Sequence, residues 1–221
     1  SAGILERGQE IAINPFEGVP FQGISDDFDI LEDKEFSEEE RKELEKRYLL
    51  PLKISNPKLP VISKLFGYLL GDGNIYISNK KGRVCAYGSQ EDLKTIKEDF
   101  EKLGFSARIY KRTRNHKIID QYGTKFFIAD NFELHVSSNS LVKLFYNLGY
   151  PKGIKTSNLF LIPDWILQSP IWIKRLFLSG LFGAELSSPR THTKTGFDCP
   201  IFSMNKNESF VENGRMFCIQ L

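Results

Sequence analysis

The pattern of apolar and polar positions changes character near residue 60. Residues 1–36 show no sustained period and are interrupted by prolines and glycines, which predicts an extended arm or a small irregular subdomain. Ser37 precedes Glu40 by three positions, the spacing of a capping box, and predicts the start of a helix that continues to residue 49. Prolines within 51–60 then favour a linker, because a proline disfavours helix at the preceding residue.

From residue 61 the apolar positions are dense, and their period alternates between that of a helix and that of a strand. An apolar helix is predicted over 61–71, and Ile75 and Ile77 then alternate with polar neighbours as in a half-buried strand. Further strands are predicted over 83–89, 106–114 and 126–137, and further helices over 91–103 and 141–148. Glycines expected to terminate helices follow them at Gly73, Gly104 and Gly149. The predicted order is therefore αββαββα.

The apolar helix then recurs over 171–185, with candidate strands over 201–204 and 215–221 behind it. We interpret this recurrence as an internal repeat whose second unit is incomplete. The predicted organisation has three parts: an acidic N-terminal part with one surface helix and a linker over 1–60, a first repeat over 61–158, and the start of a second repeat over 159–221.

The two apolar helices end alike, as LFGYLLGDG over 65–73 and LSGLFGAEL over 178–186. Small residues four positions apart share one helical face and allow two backbones to approach closely. These small residues are Gly67 and Gly71 in the first helix and Gly180 and Ala184 in the second. Each helix then ends on an acid, Asp72 or Glu185, although the partial negative charge of a helix C-terminus opposes an acid there. Packed side by side, the two carboxylates would repel each other unless a divalent cation such as Mg²⁺ lay between them.

Composition and charge narrow the class of protein. The chain of 221 residues is 41% hydrophobic and 26% charged, as folded proteins are, and its three cysteines lack metal-ligand spacing. Reduced thiols favour a cytoplasmic location, and the longest apolar run, near 171–184, is interrupted by Lys174 and Arg175 and is too short to span a membrane. Residues 1–50 hold 14 acids and 6 bases, whereas the remainder carries an excess of bases, which suggests an anionic partner for that part.

The two glycine-lined motifs and the αββαββα order between them resemble the LAGLIDADG family of homing endonucleases. LFGYLLGDG matches the family motif at its glycines and its acid, and LSGLFGAEL matches less closely, because Leu186 replaces the final glycine. The segment 161–166 also resembles the lead-in to the second motif of two-motif members. The resemblance implies an α+β fold of αββαββα halves with antiparallel sheets, packed through the two motif helices.

The resemblance also implies a function. The expected protein is a sequence-specific, Mg²⁺-dependent endonuclease of intron or intein homing that binds double-stranded DNA as a monomer with pseudo-two-fold halves. Asp72 and Glu185 would be its catalytic metal ligands. Family members often add a lysine near the end of the fourth strand of a half, where this chain has Ser137, so that auxiliary role is unfilled.

Strand periodicity predicts a solvated, basic face on the sheet, suited to base edges and phosphates. Its candidate DNA-binding residues are Asn74, Tyr76, Ser78, Arg83, Tyr87, Arg108, Tyr110, Arg112 and Arg114, with Lys80, Lys81 and Lys117 in turns. The alternative hypothesis is a non-cleaving DNA- or RNA-binding protein on the same scaffold, such as a maturase or a regulator. Leu186 and Ser137 favour that alternative, and the retention of both acids favours the endonuclease. Protein splicing is not predicted.

Overall fold

In the computed structural model, residues 23–24, 26–120, 123–153, 155, 160–187, 190–191, 197–198 and 201–202 are described. The helices are α1 (Glu38–Lys46), α2 (Leu59–Asp72), α3 (Gln90–Leu103), α4 (Asn139–Asn147), α5 (Asp164–Leu167) and α6 (Ile171–Glu185). The strands are β1 (Asp29–Leu31), β2 (Leu52–Lys53), β3 (Gly73–Ser78), β4 (Lys81–Gly88), β5 (Ala107–Asp120), β6 (Gly123–Ser137), β7 (Arg190–Thr191) and β8 (Phe197–Asp198). The fold is α+β with antiparallel sheets.

The main sheet has four strands in the order β3-β4-β6-β5, and each neighbouring pair is antiparallel. One face of it is apolar and buried, because Ile75, Val84, Ala86, Leu134 and Val136 all lie on the side that packs against the helices. The opposite face carries the polar positions of the same strands. The alternation seen in the sequence therefore corresponds to two physically different faces of one sheet.

The capping box predicted at Ser37 is confirmed. The Ser37 hydroxyl accepts from the Glu40 backbone N–H, and the Glu40 side chain accepts from the Ser37 backbone N–H. Helix α1 docks on α4, because the Glu40 carboxylate lies 2.7 Å from the Lys143 ammonium and the Ser140 hydroxyl donates to Glu43. Both contacts join the acidic N-terminal part to the body of the fold.

The structure differs from the sequence prediction at the end of α2 and at the hairpin formed by β5 and β6. Gly104 ends α3 with a φ of 94°, as a terminating glycine should, but Gly73 has a φ of −119° and is the first residue of β3. Helix α2 therefore passes directly into the sheet. Strands β5 and β6 reach to Asp120 and Gly123, beyond the expected ends, because their ladder continues through polar positions after β4 has ended. The expected strand over 215–221 and residues 203–204 lie outside the described residues.

Helix α2 occupies the centre of the core and is buried on nearly every side. The ring of Phe66 lies within 6.4 Å, centroid to centroid, of the rings of Phe145, Tyr150, Trp165 and Phe177. These aromatic residues come from α4, the segment after it, α5 and α6, so the second apolar helix contributes to the same core as the first. In the part of the chain that the structure describes, no helix is long and apolar enough to cross a membrane.

Replacing Gly180 with alanine should destabilise the fold. The new Cβ would collide with the carbonyl oxygen of Lys64 and lie 2.9 Å from the backbone nitrogen of Tyr68. Backbone atoms cannot move aside cheaply, so we expect the free energy of unfolding to fall by about 3 kcal/mol in urea titrations. Gly183 is the matched control, since a Cβ there meets nothing within 4 Å and alanine favours helix by about 0.5–1 kcal/mol. Equal losses in both variants would contradict the close helix contact.

Candidate functional site

Helices α2 and α6 contact each other through two glycines in an arrangement with local two-fold symmetry. A Cβ on Gly67 would meet the carbonyl oxygen of Phe177 and the backbone nitrogen of Leu181, and a Cβ on Gly180 would meet the corresponding atoms of Lys64 and Tyr68. In each case the obstructing atoms belong to the residue three positions before, and the residue one position after, the glycine of the other helix. The two helices are therefore related residue by residue, with Asp72 equivalent to Glu185.

The two acids lie together at the shared end of this helix pair. A Cβ built on Gly71 would lie 2.8 Å from Cγ and 3.2 Å from Oε1 of Glu185, so the glutamate side chain extends over the residue preceding Asp72. Both carboxyl groups are half-buried. The structure also places Gly71 against Ala184, the equivalent small residue of α6. Four small residues thus bring two carboxylates from distant parts of the chain to one place.

Lys155 is the cationic member of this site, which we call the carboxylate site (Asp72, Glu185 and Lys155). Its ammonium group donates to the carbonyl oxygen of Gly71 and, at 3.2 Å, to that of Gly73. These carbonyls belong to the last turn of α2 and the first residue of β3. The partly buried lysine therefore binds the end of the helix whose dipole is negative, and it faces both acids.

Burial controls the proton affinities at the carboxylate site. Removal from water is the largest cause of the raised pKa of Asp72, and the nearby Lys155 ammonium opposes that rise. Burial also raises the pKa of Glu185, and the charge of Asp72 raises it further. Burial lowers the pKa of Lys155, whereas the charges of Glu185 and Asp72 act in the opposite direction. The charge of each group therefore affects the pKa of at least one of the others, so the three groups are electrostatically coupled.

The donor set suits a hard cation that keeps much of its own water. Among the described residues no group of three or more His, Cys, Asp or Glu side chains is placed to hold a metal ion, so a cage built wholly of protein ligands is not found there. Two carboxylates fit Mg²⁺, which proteins bind through one or two carboxylates while several waters remain. Asp72 and Glu185 are the residues that would hold it.

The polar face of the main sheet, which we call the open face, gathers most of the other predicted residues. Pairing places Tyr76 opposite Arg83, and Arg108 lies opposite His135, which is itself opposite Cys85 in β4. The members that the strand registers bring to this face are Asn74, Tyr76, Ser78, Lys81, Arg83, Tyr87, Arg108, Tyr110 and Arg112. A cavity of about 640 Å³ lies along β3, and its lining includes Asn74 and Tyr76 of the open face and Lys155, but neither Asp72 nor Glu185.

Two of the three lysines predicted in turns lie in strands instead: Lys81 is the first residue of β4, because its ladder with Ser78 begins there, and Lys117 lies in β5. Lys117 is not in a turn: it pairs with Phe126 within the β5–β6 ladder, and by alternation it lies on the face opposite to Arg108. The reason is that β5 continues past its expected end at residue 114. Lys80 does lie in the turn between β3 and β4, with a positive φ of 63°. Arg114 lies opposite Ala129 in the ladder, and its side chain is outside the described set.

Three candidate functional residues, Lys155, Glu133 and His135, were not predicted from the sequence. Lys155 lies in an irregular segment without period, and nothing local indicates that the chain returns there to the end of α2. Glu133 and His135 fall within a correctly predicted strand, but strand alternation alone places an acid on the basic open face. An acid among basic residues on one face was therefore the feature of the sequence that could have drawn attention to Glu133. Glu133 is 4% exposed, and its Oε2 lies 3.2 Å from Nε2 of His135 and 3.3 Å from Nε of Arg112.

Comparison with known proteins finds relatives in archaea. The chain is 37% identical over 190 residues to the tRNA-splicing ligase RtcB of Pyrococcus furiosus, covering 82% of this chain and 19% of that protein. It is 37% identical over 220 residues to the tRNA-splicing ligase RtcB of Methanocaldococcus jannaschii, covering 96% of this chain and 22% of that protein. It is also 33% identical over 228 residues to the DNA-directed RNA polymerase subunit Rpo1N of Methanocaldococcus jannaschii, covering 96% of this chain and 17% of that protein.

The chain thus spans about a fifth of the length of the curated relatives that it matches. No protein-family model matches it. The same stretch, nearly the whole of this chain, aligns with a ligase and with a polymerase subunit. The similarity therefore concerns a portion of these larger proteins.

These names contradict the identification made from the two motifs. The relatives are named as tRNA-splicing ligases, as an RNA polymerase subunit and as a replication factor C small subunit, and none of these names is that of a LAGLIDADG homing endonuclease. The predicted Mg²⁺-dependent DNA endonuclease, its homing context and its double-stranded DNA partner are therefore wrong, since tRNA splicing acts on RNA. The maturase or regulator hypothesis gains no support from these names either. The resemblance depended on two short helix motifs, and glycine-lined helix contacts are also a general packing device.

Replacing Lys155 with methionine should raise the pKa values of Asp72 and Glu185 further. The ammonium group now favours their charged forms, so its loss favours protonation. The measurement is a ¹³C NMR titration of the side-chain carboxyl groups. The control is Lys152→Met, which removes a lysine charge that is exposed and lies over the ring of Tyr146. It should leave the pKa values of Asp72 and Glu185 unchanged. Unchanged or lowered carboxyl pKa values in the Lys155→Met protein would exclude the described coupling.

Proposed function

We propose that this chain is a nucleic-acid-binding module that performs phosphoryl transfer on RNA with a divalent cation, Mg²⁺, held by Asp72 and Glu185. The observation that carries the proposal is the pairing of two half-buried carboxylates at equivalent ends of two helices, beside a buried ammonium group. RNA is proposed because the ligases among the relatives are named for tRNA splicing.

The carboxylate site has properties that a simple structural role does not require. Two acids at negative helix ends, partly removed from water and close to each other, are each unfavourable for folding. A bound divalent cation would offset both the mutual repulsion and the cost of burial. When bound, the cation supplies Lewis acidity toward a phosphoryl oxygen.

The chain's own groups then have distinct roles in the proposal. The carboxylates of Asp72 and Glu185, one from each helix, would hold the cation. Lys155 keeps a positive charge beside them, fixed by the backbone carbonyls of Gly71 and Gly73, and this charge offsets negative charge on a nearby phosphate. A cavity is lined by Lys155 together with Asn74 and Tyr76 of β3, so in the proposal an RNA strand on the open face passes close to Lys155.

The open face supplies the proposed binding surface. Arginine and lysine side chains neutralise phosphates, while asparagine, tyrosine and arginine hydrogen-bond or stack with unpaired bases. The proposed RNA-binding residues are Asn74, Tyr76, Ser78, Lys81, Arg83, Tyr87, Arg108, Tyr110 and Arg112, with Lys80 in the adjoining turn. Lys117 is left out, because it lies on the other face.

The ligation named in the relatives is not assigned to this chain. An RNA polymerase subunit shares the same stretch at similar identity, and one shared stretch does not account for the activities of two differently named proteins. We propose instead that the stretch is a module with its own cation site. We also propose that the chain has three parts, over 1–60, 61–158 and 159–221, and that α6 starts a second repeat of the unit that α2 starts. A single protein chain would then form the carboxylate site without a second chain.

Neutralising the two acids should abolish cation binding. In a protein with Asp72→Asn and Glu185→Gln the side-chain volumes are kept, but the charges that hold Mg²⁺ are lost. We expect Mg²⁺ affinity in calorimetry to fall by at least the roughly 100-fold that loss of a supporting partner costs, and product formation on end-labelled tRNA to stop. Products both shorter and longer than the substrate are scored on the gel.

The control for this experiment is Glu91→Gln, an exposed acid in the first turn of α3. It removes one negative charge elsewhere in the fold and should leave cation binding and product formation unchanged. Mg²⁺ binding of wild-type strength by the doubly substituted protein would refute the cation site.

Arg108→Gln should weaken tRNA binding and flatten its salt dependence. Each phosphate contact on single-stranded RNA contributes about 0.7 to the slope of log affinity against log salt. Fluorescence anisotropy across a salt series gives that slope. Lys111→Gln is the control, because Lys111 follows Arg108 in β5 on the opposite face and pairs with Asp130 at 2.8 Å. Stronger binding of a DNA duplex than of tRNA by the wild-type chain would refute RNA as the ligand.

A further inference from the structure

Glu133 places a carboxylate on the open face, in the region where β4, β5 and β6 pair. Its side chain is 6% exposed, and its Oε2 lies between two basic groups, 3.3 Å from Nε of Arg112 and 3.2 Å from Nε2 of His135. The ring of Tyr110 lies 5.0 Å from the ring of His135, centroid to centroid. A buried carboxylate on a face that otherwise gathers positive charge weakens attraction for phosphate, so a role in general phosphate binding does not explain it.

The geometry of the ion pair suggests a different role. Glu133 engages Arg112 at Nε, whereas the two terminal amino groups of a guanidinium are the donors that bind O6 and N7 of guanine as a pair. Arg112 is 52% exposed while its carboxylate partner is buried, so the contact anchors the inner part of an arginine that reaches solvent. An anchored arginine loses less conformational freedom on binding than a mobile one.

Charge compensation by Glu133 also affects what Arg112 prefers. Arg112 and Glu133 together carry little net charge, so the attraction of Arg112 to a phosphate is reduced. Its directional hydrogen bonds to a neutral acceptor edge remain. Guanine presents such an edge with two acceptors, and an unpaired base in RNA exposes it.

We propose that Glu133 is a positioning residue that orients Arg112 for the recognition of an unpaired guanine on the open face. The inference rests on the proposed function, because it requires RNA to bind this face. It adds a base preference at one position to a surface whose other cationic residues contact phosphates.

The test is a binding selection from a random single-stranded RNA pool, sequenced for the wild type and for variants. The wild type should enrich guanine at one position. Glu133→Gln should lower that guanine preference about tenfold while total affinity for the unselected pool stays equal or rises, since one negative charge is removed. A thermal melt of each variant verifies folding. A merely structural role would lower total affinity and guanine preference together.

Two further variants make the result specific. Arg112→Lys keeps the positive charge but lacks the two terminal amino groups that bind a guanine edge as a pair, so it should lower the guanine preference as well. Combining it with Glu133→Gln should lower that preference no further. Asp130→Asn is the matched control, an exposed acid of β6 that pairs with Lys111 on the opposite face, and it should keep the wild-type preference.

The outcomes separate the inference from the function on which it rests. A wild-type chain that enriches no RNA refutes the proposed function itself. A folded Glu133→Gln protein that retains the full guanine preference, or additive losses in the double variant, refutes the positioning role alone. A pool selected by the wild type that shows no guanine preference also refutes the positioning role alone.

Discussion

The fold depends on the absence of side chains at two positions, Gly67 and Gly180. Carbonyl oxygens of Phe177 and Lys64 occupy the space that a Cβ would need, so the α2 and α6 backbones touch. Because each glycine meets the equivalent atoms of the other helix, the contact imposes local symmetry, and the symmetry brings Asp72 and Glu185 to the same end. A single packing constraint therefore completes the core around Phe66 and assembles the carboxylate site.

The carboxylate site is unfavourable by ordinary folding rules. Acids at helix C-termini oppose the helix dipole, and burial raises the pKa of both carboxyl groups. Lys155 offsets part of this cost by bonding to the last carbonyls of α2, but its own burial lowers its pKa in turn. The aromatic cluster and the tight helix contact supply the stability that tolerates such an arrangement. Local rules are most often broken where a site needs an unfavourable arrangement, and that is the physical basis for seeking the function here.

Elements with a strong local signal could be predicted from the sequence, and the ends and long-range contacts could not. The capping box at Ser37 and the limits of α6 follow from neighbouring residues, and they match the structure. The length of β5 and β6 follows from pairing between strands, which the polar stretch after residue 114 does not reveal. Lys155 reaches the site through an irregular segment, so no period could place it. Glu133 was visible only as an acid on a basic face, and its partners required the sheet register.

The comparisons add a constraint that the two motifs could not supply. The same stretch occurs in a ligase and in an RNA polymerase subunit, so its own role should not depend on the activity of either protein. A functional site in this stretch should then be formed by its own helices and strands. The structure is arranged in this way: helices α2 and α6 provide both acids, the segment between them provides Lys155, and strands β3 to β6 form the open face. Lys155 and two residues of the open face, Asn74 and Tyr76, line one cavity. Both acids, Lys155 and the open face therefore come from one stretch of chain, so the shared stretch supplies from its own residues the groups to which the proposed site is assigned.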